Sequence, residues 1–199
     1  GTFEFLRNIA SPKGSIKLLG IEPFNERSTL SNELETISAS FRKKGVFSSS
    51  TVIHSDQFAN GINYGSQALQ GAFFKPNIMF LNLQDHDDHN NEIKPVMKES
   101  IRLEIGILLF NLHPTALLGQ RNTINVWISE RKGNWELGGW DIGNLDLSIL
   151  VAYKLKINWK ARIRLIVLVK DPNEETNAKN FLITLTNLAR LPETLREVY

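Results

Sequence analysis

The chain has 199 residues, of which 42% are hydrophobic, so it is long enough for one well-packed core, and we expect a single domain over residues 1–199. Its 23 basic and 21 acidic residues leave a net charge of +2, which gives no indication of a nucleic-acid partner. The absence of cysteine excludes disulfides, thiolate metal ligands and a cysteine nucleophile.

The first predicted strand covers residues 15–21 and is followed by a helix. Apolar residues recur every three or four positions from Leu30 to Phe41, and Gly45 ends that helix. The second strand, residues 46–54, is unusually polar because it contains three consecutive serines, but it closes with β-branched residues. These patterns predict a strand-helix-strand unit.

The next helix runs to Gly71, and its Gly61 and Gly65 leave room for a close neighbour. A third strand covers residues 77–83. The apolar stripe over residues 94–111 predicts the longest helix of the chain, which a His-Pro pair terminates.

The second half of the chain repeats the alternation. A β-branched strand over residues 123–128, of a type usually buried on both faces, precedes a glycine-rich loop over 131–144 and a helix that ends at Leu155. A strand over 163–169, a final helix over 176–190 and a short strand over 193–199 follow. Strands that alternate with helices predict an α/β fold: a three-layer, mainly parallel sheet of five or six strands with helices on both faces.

Several of these segments resemble one known family. The relevant stretches are Asn125-Val126-Trp127, the glycine-rich loop, residues 158–164, residues 61–71, residues 75–81 and the last helix. Together they are similar to the cytoplasmic C-terminal domain of cation-chloride cotransporters, and the similarity runs from about Lys13 to the C-terminus. The resemblance implies a fold like that of universal stress proteins.

The resemblance also implies a function. We expect a non-catalytic regulatory and assembly domain on the cytoplasmic side of the membrane, which pairs as a homodimer and couples to the transmembrane domain of the same transporter. The ion path of such a protein lies in its transmembrane helices, so no transported ion is expected to bind here. A soluble universal-stress-type regulator that binds adenine nucleotides and a small α/β enzyme remain as alternatives.

A nucleotide site would lie in the glycine-rich loop. Glycines at the start of a helix can bring backbone N–H groups to a phosphate, and the resemblance to universal stress proteins points to Gly139, Gly143 and Asn144. The spacing fits neither the dinucleotide pattern nor the P-loop. Turn formation explains the same glycines without a ligand.

The aromatic residues of this loop suggest a surface for pairing. Trp135, Leu137 and Trp140 lie among glycines, where burial within one small domain looks difficult, so we expect them at a dimer interface. Trp127 and Trp159 are instead predicted to be structural and buried.

Residues 85–89 read Asp-His-Asp-Asp-His and follow a predicted strand. Such side chains can bind zinc or calcium, but adjacent residues of one loop seldom converge on an ion without ligands from elsewhere. We therefore expect no metal site and no cofactor. The apolar stretch over 105–118 is interrupted by polar residues and proline, so no membrane-spanning helix is expected, and Gly1 at the start suggests a fragment of a larger protein.

Overall fold

The structure, a computed structural model, describes residues 1–25, 29–83, 91–128, 135, 145–191 and 195–199. The chain divides into two compact units, Gly1–Leu117 and Leu118–Tyr199. Parallel strands alternate with helices in both, which confirms the α/β class. The expectation of one sheet of five or six strands is wrong, because the described strands form three small parallel sheets. Alternation predicts parallel pairing, but it does not determine how many strands join one sheet. Whether the two units unfold as a single domain stays a prediction.

The first unit contains two of these sheets. Its described elements are α1 (Thr2–Ala10), β1 (Ser15–Glu22), α2 (Leu30–Lys43), β2 (Phe47–His54), α3 (Phe58–Ala68), β3 (Ile78–Asn82), α4 (Ile93–Arg102) and β4 (Gly106–Phe110). Strand β1 pairs with β2 so that Ser15 lies opposite Phe47, and β3 pairs with β4 so that Ile78 lies opposite Gly106. The predicted strands and the first two helices of this half are thereby confirmed.

The predicted helix over residues 94–111 is wrong beyond Arg102. Helix α4 ends there, Glu104 has a φ of 57°, and the Ile105 N–H returns to the Ser100 carbonyl at 2.9 Å. A left-handed residue stops the helical hydrogen-bond pattern. The apolar residues after the break form β4, where pairing with β3 satisfies their backbone.

A compact apolar cluster joins the helices of the first unit to its strands. Ala59, Ile62 and Val96 are buried at its centre, against partly buried residues of β1 and β3. Gly61 and Gly65 allow α3 to approach β1 closely: a Cβ atom on them would lie 2.7 Å from Ile21 and 2.5 Å from Leu19. The predicted role of these two glycines is confirmed.

The second unit is a three-stranded sheet with two helices. Its elements are β5 (Thr123–Ile128), α5 (Leu145–Trp159), β6 (Arg162–Val167), α6 (Glu175–Leu188) and β7 (Leu195–Val198), in the strand order β5-β6-β7. The main buried cluster contains residues of both helices together with Val126 and Ile128 of β5 and Ile163, Leu165 and Val167 of β6.

Both helices of the second unit therefore pack on the same face of its sheet. The strand order advances in one direction, and crossovers of one hand then place successive helices on one side. The expectation of helices on both faces is wrong for this sheet. The expectation that β5 is buried on both faces is also wrong, because its residues alternate between buried and exposed and Trp127 is 62% exposed.

Candidate interaction surfaces

Trp135 lies in the core of the second unit, with only 8% of its surface exposed. Its indole N–H donates to the Glu174 carboxylate at 3.2 Å, and its ring meets Phe181 edge-on with the centroids 5.8 Å apart. The premise that Trp135 cannot be buried within a small domain is wrong, because Phe181 of helix α6 supplies an apolar ring and Glu174, immediately before that helix, supplies a hydrogen-bond acceptor. A buried indole with a satisfied N–H does not need a partner surface.

The other residues predicted from the glycine-rich loop lie outside the described residues. These are the nucleotide candidates Gly139, Gly143 and Asn144, and the interface candidates Leu137 and Trp140. The same is true of the histidine and aspartate residues of segment 85–89. Within the described part of the chain, no group of three or more His, Asp or Glu residues could hold a metal ion.

The carboxyl ends of the strands are the usual place for a ligand in an α/β unit. In the first unit, helix α3 begins beside this edge, but the Ala59 N–H there donates to the Glu92 carboxylate at 2.8 Å. Glu22 of β1 is buried at the same edge and lies 3.8 Å from the His54 ring of β2. A carboxylate of the chain itself thus occupies the position where an anion would meet this helix.

Helix α5 is apolar around most of its circumference. Leu145, Ile149, Ala152 and Leu155 face the core of the second unit. A second row, Leu150, Tyr153 and Ile157, is 45%, 39% and 51% exposed and recurs at spacings of three and four residues. A helix that is hydrophobic on all sides is usually buried on all sides. Sequence reasoning missed this row, because five polar or charged residues are spread among the apolar residues of 145–159 and the sequence alone does not show which apolar side of the helix faces the core.

The face of the β5-β6-β7 sheet opposite α5 and α6, which carries no helix among the described residues and is called the helix-free face here, is the second exposed surface of this unit. It presents Trp127 and Leu168, both more than half exposed. Ile166, opposite Trp127, is buried on this face, and polar or charged side chains share it as well, namely Thr123, Asn125, Arg162, Arg164 and Glu197. Its mixed composition is compatible with water.

One ion pair organises that face. Arg164 donates to the Glu197 carboxylate, through Nε at 2.6 Å, and the Tyr199 hydroxyl binds the same carboxylate. The Arg164 hydrogen bonds lower the pKa of Glu197, and the Glu197 carboxylate raises the pKa of Tyr199. The network fastens β7 to β6.

In the described residues, no helix has the length and apolar content that a membrane crossing requires.

Family models account for the whole chain. Residues 1–118 match the first part of the C-terminal domain of prokaryotic cation-chloride cotransporters, and residues 119–199 match the second part. The two matches meet where the structure divides into its two units. The sequence features that carried the resemblance therefore reflect shared descent.

Two solved structures are similar to this chain. The first is the cytoplasmic domain of a prokaryotic cation chloride cotransporter, with 40% identity, a TM-score of 0.86, and coverage of 100% of this chain and 72% of that one. The second is a functionally unknown protein, PA1789 of Pseudomonas aeruginosa PAO1, with 13% identity, a TM-score of 0.62, and coverage of 100% and 68%. The second likeness concerns the fold alone. No curated protein matches the chain.

Proposed function

Because this chain belongs to the prokaryotic cation-chloride cotransporter family, as its C-terminal cytoplasmic domain, we propose that it is a non-catalytic assembly and regulatory domain. In this role it holds two transporter copies together and acts on the coupled transport of sodium, potassium and chloride by their transmembrane parts. The observation that carries the pairing is the exposed apolar row of α5.

The row has the spacing of a helix-helix contact. Leu150, Tyr153 and Ile157 lie on one side of α5, at the intervals by which one helix packs against another. A two-fold axis makes each copy contribute the same row, so the surface must be complementary to itself. Three apolar side chains, with Lys154 at their flank, meet that condition.

The charges at the ends of α5 favour an antiparallel pair. Asp146 lies seven residues before Tyr153 and Lys160 seven residues after it, and both are exposed. If two helices cross antiparallel near Tyr153, Asp146 of each copy approaches Lys160 of the other, and Leu150 approaches Ile157. Opposite charges at the rim of an apolar contact set its register. A parallel pair would bring like charges together.

The helix-free face of the sheet is the less suitable surface for pairing. Trp127 lies opposite Ile166, which is already buried, and Leu168 follows two residues later; charged and polar side chains share the same face, and the Arg164–Glu197 pair is already complete. Leu137 and Trp140 of the glycine-rich loop remain candidates for the edge of the interface. Because Trp135 is buried, we propose the α5 row instead of Trp135 as the interface between the two copies.

Light scattering over a concentration series tests the pairing. The chain should approach the mass of a dimer below about a millimolar, the concentration that corresponds to only about 4 kcal/mol of association. Leu150→Ser with Ile157→Ser should give a monomer, whereas the matched control Ile183→Ser should not. Ile183 is 44% exposed on α6, against 45% for Leu150 on α5, but it lies outside the row.

A charge exchange tests the register of the pair. Asp146→Lys should weaken association, and adding Lys160→Glu to it should restore association if the helices are antiparallel. A monomer at all concentrations would overturn the pairing of this domain. A dimer insensitive to Leu150 and Ile157 would keep the pairing but eliminate α5 as its surface.

A further inference from the structure

Three phenylalanines form an exposed cluster where strands β2 and β3 begin. Phe73 is 95% exposed, Phe74 contacts it edge-on with the ring centroids 4.9 Å apart, and Phe74 also lies 5.4 Å from Phe47. Phe47 is the first residue of β2, and Phe73 and Phe74 precede β3. Phe73 thus places almost its whole ring in water, although burial of a phenylalanine ring is strongly favourable.

Lysines surround this cluster. Lys75 directly follows Phe74, Lys43 and Lys44 close helix α2 just before Phe47, and Lys13 precedes the strand whose Ser15 pairs with Phe47. All four lysines are exposed. We call the three phenylalanines together with Lys13, Lys43, Lys44 and Lys75 the aromatic edge.

Negative charge near the aromatic edge is smaller. Strand β4 begins at the same end of its pair as β3, and the acidic residues before it are Glu99 and Glu104. Glu99 is paired with Arg102, so Glu104 is the remaining acidic residue just before β4. Four lysines against one carboxylate give the aromatic edge an excess of positive charge.

We propose that the aromatic edge docks on an anionic lipid bilayer, with Phe73 and Phe74 inserted at the level of the headgroups and the lysines on the lipid phosphates. Aromatic rings beside basic residues bind such surfaces because apolar insertion and electrostatic attraction act together. A nearly fully exposed ring suits a deformable medium better than a preformed protein pocket. The proposal rests on membership of a family of membrane transporters, and it does not depend on pairing through α5.

Co-sedimentation with vesicles measures this docking. The chain should bind vesicles that contain phosphatidylglycerol and bind neutral phosphatidylcholine vesicles poorly. Its affinity for the anionic vesicles should fall as the salt concentration is raised from about 50 to about 300 mM, because salt shortens the Debye length. Phe73→Ser with Phe74→Ser should lower the partition constant roughly tenfold or more. Each of Lys44→Gln and Lys75→Gln should lower it about fivefold.

Phe24 provides the matched control. It is an equally apolar ring, 68% exposed, that follows β1 at the opposite end of the strand, so Phe24→Ser should leave vesicle binding unchanged. The absence of native cysteine allows a single label at either position. An environment-sensitive dye on Phe73→Cys should shift to the blue with anionic vesicles, whereas the same dye on Phe24→Cys should not.

Three results would overturn the proposal. They are equal binding to neutral and anionic vesicles, equal binding by the Phe24→Ser variant and the variant that lacks both Phe73 and Phe74, and no blue shift at position 73. A change of molecular mass on loss of Phe73 and Phe74, without a change in vesicle binding, would assign the cluster to contact between copies instead. If inorganic phosphate competes fully with vesicles, the site binds anions without inserting its phenylalanines into the bilayer, and the proposal is wrong.

Discussion

The Trp135 indole nitrogen lies 3.2 Å from a carboxylate oxygen of Glu174, to which it donates a hydrogen bond. The same ring packs edge-on against Phe181, about two helical turns beyond Glu174 and within α6. These two contacts hold Trp135 in the core of the second unit, where it is 8% exposed.

Trp135→Ala should therefore destabilise the chain by about 3 to 5 kcal/mol, the usual cost of truncating a buried aromatic residue. Trp135→Phe keeps most of the apolar contact and loses the hydrogen bond, so its cost should be smaller. Urea unfolding followed by circular dichroism measures both.

Trp127→Ala is the control, because Trp127 is 62% exposed and its removal should change the unfolding free energy by about 0.5 kcal/mol or less. The exposure of Trp127 contradicts the expectation from the sequence that this residue is buried. Equal losses for the two tryptophans would contradict this assignment.

Local patterns in the sequence predicted most elements, because hydrophobic periodicity and helix-ending glycines act over a few residues. The stripe from Leu30 to Phe41 and the close approach of Gly61 and Gly65 to β1 are examples. The run after Ile105 was ambiguous, since a short apolar segment fits a strand as well as a helix. The structure shows a strand, because the backbone of Glu104 is in the left-handed region and ends the helix before this run.

The partners of exposed or buried side chains were not predictable in the same way. Glu174 lies 39 residues from Trp135 along the chain, and nothing in the local sequence joins them. Trp127 faces water because both crossover helices lie on the other side of its sheet, which is a property of strand order. The row on α5 became visible only when the core-facing side of the helix was known.

Gly14→Ala should be destabilising because the backbone leaves no space for a side chain. A Cβ at this position would lie 2.3 Å from the Ala10 carbonyl oxygen, and a backbone atom of α1 cannot move aside as a side chain can. The expected cost is about 1 to 3 kcal/mol. Gly71→Ala is the control, since nothing lies within 4 Å of its added Cβ, and thermal unfolding of the pair should show a lower Tm for Gly14→Ala alone.

Stability should decrease in acid partly through Glu99. Hydrogen bonds from Arg102, and then from Gln67, lower the pKa of Glu99 from 4.5 to about 2. A folded-state pKa below the unfolded value means that the stabilisation is present above pH 4.5 and is lost as the pH falls toward 2. In urea midpoints measured across this window, the difference between the chain and Glu99→Gln should shrink with acidity. A constant difference would show that the ionised carboxylate is not responsible.

Calorimetric titration with ATP should give no binding at micromolar affinity, and the chain should not hydrolyse ATP. The sequence lacks a P-loop lysine motif, and Glu92 already occupies the start of α3. Gly139 and Gly143 are the positions at which a contrary result should be traced. Micromolar binding that disappears in Gly139→Val would favour the universal-stress-type alternative.

Arg42→Met should destabilise the first unit because Arg42 satisfies polar groups between α2 and β2. Its Nη1 donates to the Ser38 hydroxyl at 2.7 Å and to the Ser48 carbonyl at 2.9 Å, and the two serine hydroxyls are 3.0 Å apart. Ser38 and Ser48 are both buried. Buried acceptors that lose a charged donor typically cost about 1 to 3 kcal/mol.

Lys43→Met is the matched control, since it removes a neighbouring exposed cation of similar length and should change the unfolding free energy by about 0.5 kcal/mol or less. Ser38→Ala should remove part of the Arg42→Met effect in a double-mutant cycle, because the Ser38 hydroxyl accepts a hydrogen bond directly from Arg42. Arg42 also forms an ion pair with Glu35, so additive losses would mean that Arg42 acts only through the Ser48 carbonyl and this ion pair. Equal effects of Arg42→Met and Lys43→Met would mean that the polar strand β2 is held by its apolar neighbours instead.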